Sequence, residues 1–545
     1  MKESPENEPN EKGDAPAQPG IVRRLWNFTV CWRMARHVLI GMAGLLTLVA
    51  IVWVFEGIRG KRAWEQFEAE MAAMGEALDP EDLKPAPVPD LKNFAMTPLL
   101  APLLHYEYKE SGGRQQAEWR DPEAKKRVYE SPGIEAHRKL PLSDRHKRLL
   151  TSLADWQAAL RDDTNFNLPT KQISMPTAGQ TNGRASGSPH GFRFAAKQIL
   201  SALSKYDPEM NELHTAADRP HAQFPIHYDE GFGTLLPHLS VLRKFGRIAH
   251  LKTVVLLEEN RPDEALRELE LIIRFTESFR DEPFLISGLV HIALNAQING
   301  LVWEGIARGK WEARHLAAIE KRLRQVDMIS SFRRAIRGER AMSIRTFINY
   351  RLNSGEMIEN LSDEGTVVRW APSGVFYQNL VHLGRMYDEF VLPAVDFDGK
   401  TVDLKKSKAA EARMEESFGK FHLYLVCAKA AFPAFNKALQ RYAEGQVDID
   451  QARLACAIEQ YRLANDRLPA ALTDLIPTYL PKLPHDPVNG ESYVYKPDGK
   501  NYVMYSLGVD NQDNGGKVEW SDKDPNDRLR DQGDWAWYSA AINTL

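Results

Sequence analysis

Residues 38–55, VLIGMAGLLTLVAIVWVF, form an uncharged apolar run of 18 residues in which Thr47 carries the only polar side chain. At 1.5 Å per residue, a helix of this length spans about 27 Å, close to the hydrocarbon thickness of a bilayer. No A-x-A-like cleavage site occurs in the following EGIRGKRAW. The pattern therefore predicts an uncleaved transmembrane helix over residues 37–56, with the lipid bilayer contacting residues 38–55, rather than a signal peptide.

Basic residues flank the apolar run on both sides and bear on its orientation. Those before it are Arg23, Arg24, Arg33 and Arg36, and those after it are Arg59, Lys61 and Arg62. Basic residues favour the cytoplasmic side of a membrane, and the chain opens with a polar, proline-rich stretch. Residues 1–36 are therefore predicted to be a disordered cytoplasmic tail of a single-pass inner (cytoplasmic) membrane protein, with the bulk of the chain periplasmic.

Helical spacing continues beyond the apolar run and then stops at a cluster of prolines. The stretch RAWEQFEAEMAAMGEALD predicts that the helix leaves the bilayer. Repeated prolines in residues 79–93 remove backbone donors and favour extended geometry. Residues 57–130 are thus predicted to be a juxtamembrane helix and a Pro-rich spacer.

From residue 131 to residue 445 the apolar positions repeat mainly with a helical period, which predicts an α-helical body. Residues 169–191, rich in Ser, Thr, Gly and Pro, predict a long exposed loop within it. The stretch NRPDEAL at 260–266 resembles the tight turn of tetratricopeptide-like helix pairs, with Asn260 as a cap and proline and acids in the next first turn. Helices are expected at 283–307 and 310–326. No clean 34-residue period is found, so an irregular stack of helical hairpins is predicted.

The character of the chain changes near residue 446. A helix, a turn at 465–469 and a short second helix precede two or three strands with turn signals at Asn489-Gly490 and Asp498-Gly499. Residues 446–545 are predicted to be a small α+β module with an antiparallel meander, which makes the whole fold mainly α. The tryptophans of GDWAWYSAA are predicted to lie in a strand that caps the core, the alternative being a carbohydrate-binding platform.

Composition excludes several classes of protein. A chain of 545 residues exceeds a single domain, and a net charge of −4 without a basic stripe gives no attraction to nucleic acid. Three cysteines exclude a disulfide framework and a cysteine-based zinc module. Cys427 and Cys456 are predicted to be buried thiols, with a disulfide as the open alternative. No serine-hydrolase, zinc-protease, P-loop or dinucleotide motif is present.

The succession YRLANDRLPAALTDL, LPHDPVNG, YVYK and YVMYSLGVDNQDNGG, after one helix, resembles the C-terminal part of type II secretion major pseudopilins over residues of about 451–516. The resemblance implies a terminal loop that binds calcium. Nearly 400 residues separate the apolar helix from this module, and residues 38–55 lack the glutamate of a pseudopilin, so a polymerising pilin subunit is not predicted. As a whole, with RPHAQFPIHYDEGFGTLLPHL at 219–239, the chain resembles bacterial membrane-anchored proteins that end in such a segment.

The loop VDNQDNGG carries the candidate calcium ligands. Asp510, Gln512 and Asn514 stand at alternate positions before a glycine, a partial match to D-x-[DN]-x-[DN]-G, where alternate oxygens turn toward one Ca²⁺. The resemblance selects Asp510 first and requires a further acid. The candidates for that acid are Asp513, Asp522 and Asp524. A solvated turn that needs no ion is the alternative.

Two other groups of polar residues are weaker candidates for a functional site. His214, His221 and His227 do not have the spacing of a zinc site, so they are predicted to be surface or packing histidines, with Arg219 seeking a carboxylate. Glu339-Arg340 is a candidate buried acid–base pair.

Two functions follow from these patterns. The first is a membrane-anchored extracytoplasmic scaffold that binds a protein partner, associated with a secretion or envelope assembly and steadied by calcium. The alternative is an envelope hydrolase in which Glu339, Asp229 or Glu230, and a histidine converge in a helical cleft. The absence of catalytic motifs favours the scaffold.

Overall fold

The computed structural model describes residues 20–111, 114–129, 142–162, 189–352, 371–419, 422–432, 434–524 and 528–541. The α-helices are α1 (Ile21–Ala73), α2 (Pro122–Tyr129), α3 (Leu153–Asp162), α4 (Pro189–Leu203), α5 (Asp207–Ala216), α6 (Pro237–Glu258), α7 (Pro262–Glu277), α8 (Leu285–Ala307), α9 (Ala313–Leu323), α10 (Met328–Leu352), α11 (Ser373–Met386), α12 (Leu404–Phe418), α13 (Val426–Ala431) and α14 (Phe435–Asn465). The β-strands are β1 (Tyr106–Ser111), β2 (Arg114–Trp119), β3 (Val395–Asp396), β4 (Thr401–Val402), β5 (Val494–Asp498), β6 (Asn501–Ser506), β7 (Val518–Trp520), β8 (Arg528–Gly533) and β9 (Trp535–Tyr538). The predicted mainly helical fold is confirmed.

Helix α1 contains the apolar run and continues without a break into the body. Its large apolar side chains from Val38 to Phe55 are 46–66% exposed. By length and composition, two helices among the described residues are able to cross a membrane, residues 31–73 of α1 and helix α8. Most of α8 is buried inside the body, so its apolar composition is that of a core helix.

The disordered tail predicted at 1–36 and the loop predicted at 169–191 are each described by the structure only in part. Helix α1 begins at Ile21, so residues 21–36 are helical rather than disordered, because no helix breaker follows Gly20 and the preceding proline. Residues 1–19 lie outside the described residues. Of the loop predicted at 169–191, residues 189–191 belong to α4, and the rest lies outside the described residues.

Beyond the apolar run, α1 packs lengthwise against α11. The two backbones meet at Gly60 and Gly374, where a Cβ on Gly60 would lie 2.2 Å from the carbonyl oxygen of Gly374. Further along, the fully buried ring of Phe67 lies against Gly384. Helices approach this closely only where glycine leaves room for the facing backbone. Helix α1 is therefore joined to the body by direct packing.

Residues 79–93, predicted to be an extended spacer, instead lie against the body. Asp79 pairs with Arg345 of α10. Buried Asn93 donates to the carbonyl of Gln223 at 2.7 Å and accepts from the N–H of Gln223 at 2.9 Å. Helix α1 ends at Ala73, earlier than predicted, because Gly75 takes the left-handed conformation at φ +70° before any proline is reached. Within residues 79–93, 3₁₀ turns and these side-chain bonds give the backbone groups partners. The spacer prediction is therefore wrong.

Helices α6 to α9 form the predicted hairpins. Helix α6 packs on α7 and α8, and α7 packs on α9. The turn after α6 places Asn260 at φ +61° and Pro262 at the first position of α7. The N-cap is Arg261 rather than Asn260, because asparagine here takes the left-handed conformation that ends α6. Asp263 reaches across to His315 of α9 at 3.0 Å.

The C-terminal strands share the core of the body. Strand β6 pairs antiparallel with β5, as the meander predicts. It also pairs antiparallel with β9, which follows β7 and β8 in the chain, so the three-stranded sheet is not a simple meander. Trp535 and Trp537 of β9 are buried, which confirms the core-capping strand, and Trp303 of α8 donates to the carbonyl of Tyr538 at 2.7 Å. The domain boundary predicted at 445/446 falls inside α14, whose buried face belongs to one continuous core with α8 and α9. Residues 446–545 are thus not a separate domain. Cys427 and Cys456 are buried free thiols, as predicted.

Candidate functional site

The acidic loop leaves β6 at Ser506 and leads to β7, which pairs with β8 in a separate two-stranded sheet. Asn511, Gly515 and Gly516 take positive φ values of +56°, +73° and +85°. Gly508 also has positive φ, and a Cβ there would lie 2.8 Å from the carbonyl oxygen of Gly533. Only glycine and asparagine adopt this conformation at small cost, so the composition of VDNQDNGG is explained by the turn itself. The loop lies against the end of β8.

Asp513 is held by neighbours within the sheet. One carboxylate oxygen accepts from the Tyr505 hydroxyl at 2.6 Å and from the Gly515 N–H at 2.8 Å, and the other lies 3.6 Å from the Lys496 ammonium. The hydrogen bond from Tyr505, followed by that from Gly515, lowers the pKa of the Asp513 carboxyl. This predicted ligand already has a structural role in the turn.

Two of the other predicted ligands, Asp510 and Asn514, form hydrogen bonds within the loop itself. The Asp510 carboxylate accepts from the N–H of Gln512 at 3.1 Å, and the Asn514 amide donates to the Gln512 carbonyl at 3.1 Å. Asp524 is exposed on the connection between β7 and β8. Among the described residues, no three His, Cys, Asp or Glu side chains form a group able to hold a metal ion. A Ca²⁺ bound here would take most of its ligands from carbonyl groups and water.

Asp534 is a further carboxylate beside the loop that the loop's sequence pattern does not indicate. It is 1% exposed, one carboxylate oxygen accepts from the Gly516 N–H at 2.7 Å, and the other has no hydrogen-bond partner in the part of the chain that the structure describes. Burial, helped by the charges of Asp513 and Asp510, raises the pKa of Asp534. A buried unpaired carboxylate oxygen beside an acidic loop fits the oxygen-only chemistry of Ca²⁺. In the sequence, Asp534 stands in Gly-Asp-Trp, which does not show what the carboxylate lies against. Its position beside the loop follows only from the pairing of Ser506 with Trp535.

Glu339 and Arg340, the pair named in the hydrolase hypothesis, bind different partners. The Glu339 carboxylate accepts from the N–H of Leu285 at 3.0 Å and so caps the start of α8. Arg340 pairs with Glu76 and with Asp388, the latter at 2.9 Å, rather than with Glu339. The candidate acid–base pair is therefore not formed.

Glu339 nevertheless predicts a pH dependence of stability. Burial raises the pKa of the Glu339 carboxyl from 4.5 to about 7, so between these pH values the folded state binds the proton more tightly than the unfolded state. Stability should fall as pH rises through this window and stay low above it. Glu339→Gln keeps an acceptor for the N–H of Leu285 without the charge. At pH 8 we expect its free energy of unfolding to exceed that of the parent by about 3 kcal/mol, with little difference at pH 4.5. Denaturant unfolding at both pH values checks this, and an equal effect at both would contradict it.

The three histidines, predicted to be surface or packing side chains, lie in different surroundings. His214 is buried beside Glu268 at 3.2 Å, and the His227 ring packs 4.7 Å from the Tyr106 ring. His221 is exposed. Arg219 donates to the carbonyl of Asn93 at 2.9 Å, so the expected carboxylate partner is replaced by backbone oxygens.

A groove of about 590 Å³ lies between residues 85–88, residues 217–224 and the ends of α7 and α9. Arg274 and Arg322 both bind Glu277 in its wall, each at 2.9 Å. Three exposed charged side chains on its rim form no ion pair with the described residues: Arg280, Asp218 and Asp281. The groove therefore presents free charges of both signs.

Comparison with protein-family models, with curated proteins and with solved structures finds no match for the chain. The pseudopilin resemblance of residues 451–516 and the calcium site that it implies remain predictions.

Proposed function

We propose that this chain is a single-pass scaffold of the inner (cytoplasmic) membrane that holds a protein-binding helical body outside the cytoplasm. The observation that supports it best is helix α1, in which an exposed apolar run is followed by a half that packs on α11 without an intervening linker. Such an anchor holds the body at the membrane and raises its concentration there relative to a membrane-bound partner. The association with a secretion or envelope assembly rests on the pseudopilin resemblance alone.

The groove is the proposed partner surface. Its free guanidinium group on Arg280 and free carboxylates on Asp218 and Asp281 are complementary to a polypeptide segment that carries both an acidic and a basic side chain. The groove is open and its lining is mainly polar, which suits surface recognition better than the enclosure of a small substrate. Neither Glu339 nor Asp229 lines it.

A photo-crosslinking amino acid at Gln325, exposed on the groove, tests this function. We expect one discrete protein adduct in membranes, lost in an Arg280→Glu background because the charge complementarity is reversed. The same cross-linker at Lys500, in an exposed turn remote in sequence, serves as the control. The proposal is overturned if Gln325 yields no discrete adduct, if Lys500 yields the same one, or if Arg280→Glu leaves it unchanged.

Calcium is proposed to steady the acidic loop, with Asp510 and Asp534 contributing carboxylate oxygens. A ligand at about 100 times its dissociation constant stabilises the native state by about 2.7 kcal/mol. We expect Ca²⁺ to raise the unfolding temperature of the full chain relative to chelator, and Asp534→Asn to abolish the rise while keeping an acceptor for the Gly516 N–H. Asp498→Asn, on exposed β5, is the control and should retain the rise. Superimposable melts with and without Ca²⁺ would leave the loop as a turn only.

A further inference from the structure

The residues that follow the apolar run bind a loop of the body. The Glu56 carboxylate accepts from Arg59 at 2.8 Å and from the Tyr424 hydroxyl at 3.0 Å. Arg59 also donates to that hydroxyl at 2.5 Å, with its guanidinium group 5.3 Å from the Tyr424 ring. Tyr424 is therefore held within one helical turn of Phe55, the last residue of the apolar run.

Helix α11 starts at the same level and runs away from it. A Cβ on Gly374 would lie 1.9 Å from the carbonyl oxygen of Glu56, whereas Gly384, ten residues later, lies against Phe67. The two helices thus run side by side in the same direction. The N-terminal end of α11 points back toward the apolar run.

Helix α10 runs the opposite way and brings its C-terminal end to this level. Ser343 meets Tyr387 at 3.1 Å, just beyond the far end of α11, while the Arg351 guanidinium group lies 4.6 Å from the Phe376 ring near the start of α11. Arg351 also donates to the carbonyl of Ala371 at 3.2 Å. The end of α10 and the loop holding Tyr424 therefore share one end of the body.

This end of the body carries exposed apolar side chains beside basic and aromatic ones. Leu352 is 75% exposed and Leu423 is 40% exposed. We name the surface formed by Arg351, Leu352, Leu423 and Tyr424, together with Arg59, the membrane-facing end. Tyrosine and arginine with exposed leucines are the side chains that occupy membrane interfaces, where one part of a side chain is apolar and the other wet.

The depth of the membrane-facing end relative to the bilayer follows from the rise per residue of α1. Glu56 to Arg59 extend about 2–6 Å beyond Phe55 at 1.5 Å per residue. The headgroup layer of a bilayer is about 5–7 Å deep on each side. If residues 38–55 span the hydrocarbon, groups bonded to Glu56 and Arg59 lie at the depth of the headgroups.

We infer that the membrane-facing end rests in the lipid headgroup layer, with Leu352 and Leu423 directed at the boundary with the acyl chains. The inference rests on the proposed membrane anchoring and adds a second contact with the same bilayer. The membrane-facing end contacts lipid rather than another protein, because it is continuous with the segment of α1 that enters the bilayer. The contact would fix the orientation of the body relative to the membrane.

Depth-dependent fluorescence quenching of the full chain in vesicles tests the inference. In a Cys31→Ser background, single fluorophores are attached at Leu352→Cys, Leu423→Cys, Leu463→Cys and Val49→Cys. Cys427 and Cys456 are buried and so protected from labelling. Leu463 is the matched control, since it is 49% exposed on α14, which packs on α8 and α9. Vesicles carry a nitroxide either on the lipid headgroup or deep on the acyl chain.

We expect headgroup nitroxide to quench the labels at 352 and 423 several-fold more than the label at 463, and acyl-chain nitroxide to quench the label at 49. If the label at 49 is quenched while those at 352 and 423 behave like that at 463, the anchor stands and the headgroup contact is overturned. If the label at 49 is not quenched, the anchoring fails, and the inference fails with it. A protein partner at this end would give the first of these two results, because it would shield the labels from lipid.

Discussion

Replacing Glu444 with alanine is expected to lower the free energy of unfolding by about 3–5 kcal/mol, because it leaves a buried guanidinium group without its counter-charge. Glu444 lies on α14, and its carboxylate binds Arg528 and, at 3.0 Å, Arg530, both on β8. Glu444 is 7% and Arg528 6% exposed. This cluster holds β8 on the part of α14 that precedes the predicted domain boundary.

Chemical denaturation of the full chain measures the effect. Glu118→Ala is the control, since Glu118 pairs with Lys109 at 2.5 Å but both side chains are about 60% exposed; it should cost at most about 1 kcal/mol. Adding Arg528→Met to Glu444→Ala should restore part of the stability, because the uncompensated charge is removed. If Glu444→Ala costs no more than the control, the cluster does not hold the C-terminal strands to the body.

Replacing Gly60 with alanine is expected to cost about 3 kcal/mol and to loosen the junction between α1 and α11. The added Cβ would lie 2.2 Å from a backbone oxygen of Gly374, and backbone cannot rotate away as a flexible side chain can. Alanine gains about 1 kcal/mol of helix propensity over glycine, so the clash must exceed that gain to give a net loss.

Gly44→Ala is the matched control, since nothing lies within 4 Å of a Cβ at Gly44. It receives the same gain in propensity without the clash and should not be destabilised. Thermal unfolding in detergent, followed by limited proteolysis between residues 57 and 78, separates the two variants. Equal stability of Gly60→Ala and Gly44→Ala would show that the two backbones do not meet as closely as the packing of α1 on α11 requires.

The predictions that succeeded were those carried by spacing within one element. The apolar run, the helices at 283–307 and 310–326 and the turn at Pro262 follow from the period of apolar positions and from proline geometry. The buried tryptophans of β9 follow from alternation in a short strand. Each such signal is local and does not depend on which other part of the chain lies nearby.

The predictions that failed concerned how segments meet. The prolines of residues 79–93 do not mark the end of α1, which stops at Ala73, and the segment packs on the body through Asn93, whose partner Gln223 is remote in sequence. The sequence pattern does change near residue 446, but this position lies inside helix α14, which the core surrounds. A shift in composition marks a change of secondary structure and does not by itself mark a domain boundary.

The sequence by itself determined the mainly helical fold, the long apolar segment of α1 and the turn character of VDNQDNGG, because each depends on intrinsic backbone preference or on the period of burial. Only the tertiary structure decided that Asp534 lies beside the acidic loop, that Gly60 meets Gly374 and that Glu444 neutralises Arg528. Those contacts join residues far apart in the chain, and their free energy arises from close packing and from the loss of water around charges, which exist only once the whole body has assembled.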